Sequence, residues 1–173
     1  VAGAAQIDIA VDPLECTNNC ADNTPNSIAV LAAAPRGTLL HAPDCYMDKI
    51  AAGPALAGHI SLEGSVIYNL EQTASVLDKP ISEVKVVALD RERHAQLFKE
   101  IRDAGADLSL MGDGDVSGAI WAARPDGPYD LLMGIGAAPE GVISATAIRG
   151  LDGVFEGRLI FRSKEEEARA ETM

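Results

Sequence analysis

Asp12 and Glu15 stand three positions apart in IDIAVDPLECT, Ile7 to Thr17, with Pro13 between them. Proline fixes the backbone there, so both carboxylates can converge on one point just past the end of an apolar strand instead of splaying along it. Hard oxygen donors without a nearby histidine suit Mg²⁺ or Mn²⁺ better than zinc. Acids and proline at this spacing also make an ordinary solvated turn. Asp8 shares a strand face with Asp12 but lies about 13 Å away along an extended chain, too far to join the same ion.

Three further stretches carry chemistry. In DLLMGIGAAPEGV, Asp130 to Val142, an apolar strand runs into Gly134 and Gly136, and Pro139 stands where the first turn of a helix begins. A dinucleotide fingerprint is similar, but Pro139 occupies the place of its third glycine. Glu140 falls in that first helical turn, where the helix dipole favours a carboxylate. If the turn faces the cleft of Asp12 and Glu15, it brings a third carboxylate to the metals. In LMGDGDVSGAI, Leu110 to Ile120, Asp113 and Asp115 flank Gly114. Asp115 can cap the following helix, or the pair can accept hydrogen bonds from vicinal sugar hydroxyls. In ALDRERH, Ala88 to His94, Arg91 and Arg93 follow a strand end. They are either a phosphate clamp or the ordinary charges of a helix start.

The remaining candidates read as structural. His41, His59 and His94 are scattered and have no partner at metal-ligand spacing. Ser117 and Ser144 lack a visible histidine and acid pair. Trp121 is expected in the core.

These residues need elements to position them, and the pattern is mixed α/β. Ile7, Ile9 and Val11 alternate with Asp8, Ala10 and Asp12, so the first strand, Gln6 to Val11, is expected to bury its apolar face. Ser27 to Ala34 and Thr38 to His41 read as two more strands around the turn PRG. Val66 to Leu77 has helical spacing and ends at Lys79-Pro80. A βαβα run follows: KVVAL, a helix over Arg93 to Ala104, DLSLM, then a helix over Val116 to Ala123. YDLLMGI, a helix over Pro139 to Arg149 and a strand over Val154 to Phe161 complete it. This alternation predicts a parallel sheet with ligands at the carboxyl ends of its strands. The charged tail SKEEEARAETM reads as a frayed helix.

Composition bounds the function. With 173 residues and 47% apolar content, the chain can bury one core and a second small one. A net charge of -12 argues against nucleic acid as a partner. No apolar run has the roughly 18 residues of a membrane span and no signal peptide is visible, so the reading is cytoplasmic with no membrane partner. Three cysteines, Cys16, Cys20 and Cys45, make no disulfide framework. The chain starts at Val1 almost directly with a strand and reads as a piece of something longer.

Taken together, DIAVDPLECT, HAPDCYMDKIA, ALDRERH, DGDVSGAI and LMGIGAAPEGVISATA resemble, in order and spacing, the class II fructose-1,6-bisphosphatases. GIGAAPEGVIS looks most like the cyanobacterial-type branch, which also hydrolyses sedoheptulose-1,7-bisphosphate. The resemblance runs from Ala5 to about Phe161. It implies the layered α/β/α/β/α fold of the inositol monophosphatase and fructose-bisphosphatase superfamily with its N-terminal part missing. Residues 1–80 would then complete a first, metal-binding subdomain. Residues 81–162 would form a second, with the sugar and phosphate loops and a returning metal ligand, and 163–173 a tail.

By resemblance Asp12, Glu15 and Glu140 match metal ligands for Mg²⁺ or Mn²⁺, and Thr17 matches the residue that positions and deprotonates the attacking water. Glu15, Cys16, Thr17, Tyr46, Arg91, Glu92, Arg93, Asp113, Gly114, Asp115 and Ala137 match substrate-contacting positions. The implied partners are a sugar bisphosphate and further copies of the chain, as a homodimer or homotetramer. The implied reaction is metal-dependent hydrolysis of the 1-phosphate.

Some positions depart from the family pattern. Cys16 stands where glycine is usual and could form a redox pair with Cys20, or be a small buried thiol. Ala137 also replaces a glycine, and Glu92 replaces a proline and sets a negative charge beside the supposed clamp. Family members draw two more metal ligands, an aspartate and a glutamate, from a region before Val1, so this chain alone is expected to be nearly inactive. Two other readings stay open: another inositol or sugar monophosphatase, and a non-catalytic nucleotide-binding α/β domain.

Overall fold

Alternation of apolar residues with turn signals resolves into two sheets with helices between and outside them. The computed structural model describes residues 5–172; residues 1–4 and 173, the extremes of the first and last expected units, lie outside the described residues.

The first sheet is a hairpin, β1 (Ile7–Glu15) antiparallel to β2 (Ile28–Pro35), joined through a short helix α1 (Thr17–Ala21). β1 does not end before Asp12: it continues to Glu15 through a register shift between those two residues. Pro13 sits in the shift, having no amide to donate to the ladder.

The second sheet holds β3 (Tyr46–Ala52), β4 (Lys85–Leu89), β5 (Asp107–Met111), β6 (Leu131–Ala137) and β7 (Val154–Ile160) in the order β5-β4-β6-β3-β7. β4 is parallel to β5 and β6, as the βαβ alternation predicts, but β3 is antiparallel to both β6 and β7. The sheet is therefore mixed, not parallel. Thr38–His41 is not a strand among the described residues; after the turn at Gly37 the chain runs irregularly until β3, which the sequence reading passed over. β3 lies before residue 80 yet pairs with two strands that lie after it.

Helices cover both faces. On one side α2 (Val66–Val76) and α3 (Ala95–Asp103) bring Leu70, Ala74 and Ile101 against Ile50, Ala52, Val86 and Leu131. On the other, α4 (Asp115–Ala123) and α5 (Ala138–Gly150) bring Ala119, Ala122, Ala123 and Ile148 against Ala51, Val87 and Leu132. Neighbouring strand residues such as Ile50 and Ala51 thus serve opposite cores, the period-two rule at work. The hairpin lies outside α4 and α5, where Ala10, Ile28, Val30 and Ala32 meet Val116, Ile120 and Ile143. The layers run α, β, α, β.

The hairpin inverts the expected facing. Ile7, Ile9 and Val11 are 54%, 56% and 59% exposed, and Leu31 on the same face is 63% exposed. Alternation shows that a strand has two faces, but the partner decides which is buried. Here the alanine-bearing face lets the hairpin approach the helices closely. Trp121 is also not core: it is part-exposed, with the Arg124 guanidinium 5.1 Å from its ring centre. The tail forms a capped helix α6 (Lys164–Ala170), with the Ser163 hydroxyl accepting from the Glu166 amide. No helix among the described residues is long and apolar enough to cross a membrane.

Candidate active site

β4, β5, β6 and β7 all point the same way, and β3 starts where they end. That edge of the sheet collects most of the expected residues. Asp90 to Arg93 follow β4, Gly112 to Asp115 follow β5, and Ala137 ends β6 directly before α5, whose first turn carries Pro139 and Glu140. Tyr46 opens β3 opposite Ala137.

The hairpin delivers Glu15 to the same edge. Its Oε1 accepts the Val116 amide at 3.2 Å, so a residue distant in sequence satisfies the exposed N-terminus of α4. Asp115, expected to cap that helix, does not: Gly114 in the left-handed region is the N-cap and no side chain caps there. The Asp115 carboxylate turns away to accept from Lys49 Nζ at 2.6 Å. Lys49 lies mid-strand in β3 and is 1% exposed. Gly136 makes room for this pair, since a Cβ there would lie 1.8 Å from Asp115 Oδ2 and 2.9 Å from Lys49 Nζ. The strand meets α5 without an intervening loop, and the space beside its second glycine is already filled. The nucleotide-binding reading therefore loses its phosphate-cradling turn.

Burial and shared negative charge dominate the electrostatics. Burial pushes the Glu15 carboxyl up to about 7 against the Val116 hydrogen bond, with Asp115, Asp12 and Asp113 raising it further. Glu140 is raised by burial first, and by Asp115 and Asp12, while Lys49 opposes the shift. Glu15 Oε2, Glu140 Oε2 and Ser144 Oγ are buried with no hydrogen-bond partner among the described residues. Orphaned buried carboxylate oxygens are costly, and oxygen-only donors of this kind fit a hard divalent cation. Among the described residues no three His, Cys, Asp or Glu side chains are arranged to hold a metal ion. Asp12 also has local work, its Oδ1 accepting the Leu14 amide at 3.0 Å.

The two arginines part company. Arg91 donates from Nη1 to the Asp90 and Gly112 carbonyls and lies 3.6 Å from Asp113 Oδ1, which ties two loops together. Arg93 donates twice to the Ile135 carbonyl, with its guanidinium 4.9 Å from the Tyr46 ring centre. They share no partner, so a paired clamp does not form; Glu92 is exposed beside them. Thr17 is exposed at the start of α1. Cys16, in the left-handed region, is buried; burial and then Glu15 push its thiol up to about 12. Such a thiol is a poor nucleophile, and this favours the buried-thiol reading over a redox pair with exposed Cys20.

Sequence reasoning missed Lys49 and the role of His94. A lysine inside the run YMDKIAA is the one available signal for Lys49. His94 is buried, with Nδ1 2.7 Å from the Leu89 carbonyl and Nε2 accepting the Ile135 amide at 2.8 Å, so it bridges the ends of β4 and β6.

Comparison with known proteins shows the family to which the chain is similar. The family model described as bacterial fructose-1,6-bisphosphatase, glpX-encoded, matches residues 1–173. The chain is 51% identical over 156 residues to the D-fructose 1,6-bisphosphatase class 2/sedoheptulose 1,7-bisphosphatase of Thermosynechococcus vestitus, covering 90% of this chain and 45% of that one. It is 52% identical to the protein of the same name from Synechococcus elongatus, with the same coverage. For the Prochlorococcus marinus protein of that name the identity is 50% over 155 residues, covering 90% of this chain and 46% of the relative. The chain thus spans a little under half the length of the curated relatives it matches.

Proposed function

We propose, from the premise that this chain belongs to the bacterial, glpX-encoded fructose-1,6-bisphosphatase family, that it forms part of a divalent-cation-dependent sugar bisphosphatase. The proposed reaction is hydrolysis of the 1-phosphate of fructose-1,6-bisphosphate and of sedoheptulose-1,7-bisphosphate. The observation that carries this reading is the pair of buried, unpartnered oxygens on Glu15 and Glu140 in the shared field of Asp12 and Asp115.

In this reading Asp12, Glu15 and Glu140 contribute to holding Mg²⁺ or Mn²⁺, together with ligands from outside this chain. A bound divalent cation neutralises charge on the phosphoryl oxygens and lowers the pKa of water. The Thr17 hydroxyl positions the attacking water and relays its proton. Asp113 and Asp115 accept from sugar hydroxyls, with Lys49 fixing the Asp115 carboxylate. Water oxygen bonds to phosphorus, the bond from phosphorus to the sugar oxygen breaks, and that oxygen leaves with the electron pair and gains a proton. Positioning and electrostatics supply most of the rate in such transfers. Assembly is proposed as a homodimer or homotetramer.

The test is phosphate release from both sugars with each ion, by this chain and by a chain extended to the relatives' full length. The extended chain is expected to turn over and the 173-residue chain to be nearly inactive. No release by the extended chain with either sugar and either ion would overturn the reading.

A further inference from the structure

Among the described residues Lys49 is the bulkiest side chain that is fully buried. A buried ammonium is costly unless it is paired. The fold makes a channel for this one. Lys49 shares the α5-facing side of β3 with Met47, and two glycines clear its path: a Cβ on Gly141 would lie 3.3 Å from Lys49 Cε, and one on Gly136 would lie 2.9 Å from Nζ. Gly141 follows Glu140 in α5, so the stem runs beneath the first turn of that helix. Nζ ends 2.6 Å from Oδ2 of Asp115, the first residue of α4. Both helices begin at this point, and a helix N-terminus disfavours a cation. Acids must therefore hold the ammonium in place.

Asp115 is the acid that Lys49 takes. Burial raises the Glu15 and Glu140 carboxyls first, and in both cases Asp115 is the strongest of the neighbouring charges that raise them further. A carboxylate so placed would ordinarily turn an oxygen to a divalent cation shared with those two acids. Its Oδ2 instead faces Lys49 and packs against Gly136, where a Cβ would lie 1.8 Å from it. Only Oδ1 is left for a ligand. The same ammonium opposes the shift of Glu140, so one buried cation acts on two acids of the site.

We propose that Lys49 is a positioning residue that withholds Asp115 from the divalent cation and reserves its second oxygen for the sugar. For the identity of both ligands this rests on the sugar bisphosphatase reading. Its own content is a division of labour among neighbouring acids, imposed by one buried ammonium.

The division has a sign that packing alone does not produce. Mn²⁺ affinity, followed by electron paramagnetic resonance, and KM for fructose-1,6-bisphosphate are measured on the chain extended to the relatives' full length. Lys49→Met frees the Asp115 carboxylate and removes a positive charge, so Mn²⁺ is expected to bind about tenfold tighter. KM is expected to rise about tenfold, because Asp115 no longer points at the sugar. A lysine that only fills space would, on removal, loosen α5 and weaken both. Lys49→Gln keeps a donor in the channel without the charge, and should move both quantities in the same directions by about threefold; it decides the matter should Lys49→Met fail to fold by circular dichroism. Lys79→Met is the control. It breaks a 2.6 Å ion pair with Asp130, just before the start of β6 at the far end of the sheet, and is expected to leave both quantities unchanged.

Equal or weaker Mn²⁺ binding by the Lys49 variants, or an unchanged KM, would overturn the proposal, as would the absence of Mn²⁺ binding by every one of these proteins. Should the unaltered extended chain bind Mn²⁺ but release no phosphate from either sugar, the bisphosphatase reading falls by itself. The Mn²⁺ measurement then decides the role of Lys49: tighter binding by the variants upholds it, and equal or weaker binding removes it.

Discussion

Glu15 Oε1 accepts the backbone amide of Val116 at 3.2 Å, while Glu15 Oε2 is buried with no partner among the described residues. One oxygen completes a helix terminus, and the other has no partner among the described residues to offset a negative charge. The sign of the pH effect follows. With its folded pKa raised from 4.5 to about 7, Glu15 binds more protons folded than unfolded in that window. Its contribution to stability is therefore lost as pH rises through about 7.

Glu15→Gln removes that charge and can keep the acceptor for Val116. At pH 8 in EDTA the variant should melt higher than the unaltered chain, with a stability gain on the order of 1 kcal/mol after discounting for solvent access to the cleft. Adding Mn²⁺ should raise the melting temperature of the unaltered chain more than that of the variant. Calorimetry at pH 5 and 8, with and without the ion, checks both. A variant that melts lower at pH 8 counts against an unneutralised charge.

Lys49 and Asp115 form a buried pair, so removing one partner strands the other. Lys49→Met should cost about 3–5 kcal/mol. The double variant Lys49→Met with Asp115→Asn should recover more than half of that loss, since no uncompensated charge is left. Urea denaturation of the four proteins of the cycle measures the coupling.

Gly136→Ala tests the same pair from the backbone. The new methyl would lie 1.8 Å from Asp115 Oδ2. Displacing it should cost about 1–3 kcal/mol and lower the melting temperature by several degrees. Gly150, where a Cβ meets nothing within 4 Å, is the control: Gly150→Ala should be neutral or slightly stabilising.

His94 bridges β4 and β6, and burial lowers its pKa, with Arg93 adding to the shift. A depressed folded value means fewer protons bound in the folded state than in the unfolded one. Stability from this group is full above its ordinary value near 6.5 and is lost as pH falls through the lower folded value. His94→Ala should cost about 2–4 kcal/mol at pH 7.5, and the gap between the two proteins should narrow on acidification. A constant gap from pH 7.5 to pH 5 would show that the histidine does not titrate as described.

Much of this architecture is legible in the sequence because it is local. The helix over residues 66–76, the strands over 85–89 and 107–111, and the helix that places Glu140 in its first turn all follow from spacing and punctuation. The failures share a cause, which is that a distant partner outweighs a local preference. β3 carries Tyr46 and Lys49 but has neither alternation nor a β-branched run, because it is buried between β6 and β7. Thr38 to His41 has apolar residues but no strand to pair with. Asp115 would cap its own helix if Lys49 did not hold its carboxylate and Glu15 did not occupy the terminus. For the candidate site, motif order picked out Glu15, Glu140, Arg93 and Tyr46, which the fold brings to one edge of the sheet, whereas Lys49 was hidden inside an apolar run.

The outward side of the hairpin has a consequence for handling the protein. A net charge of -12 would ordinarily keep molecules apart in dilute buffer. Yet Ile7, Ile9, Val11 and Leu31 present a greasy strip flanked by two bare strand borders. Colloidal behaviour should therefore be governed by this one patch: raising the salt screens the mutual repulsion and promotes clumping, and a single lysine in place of Val11 should delay it.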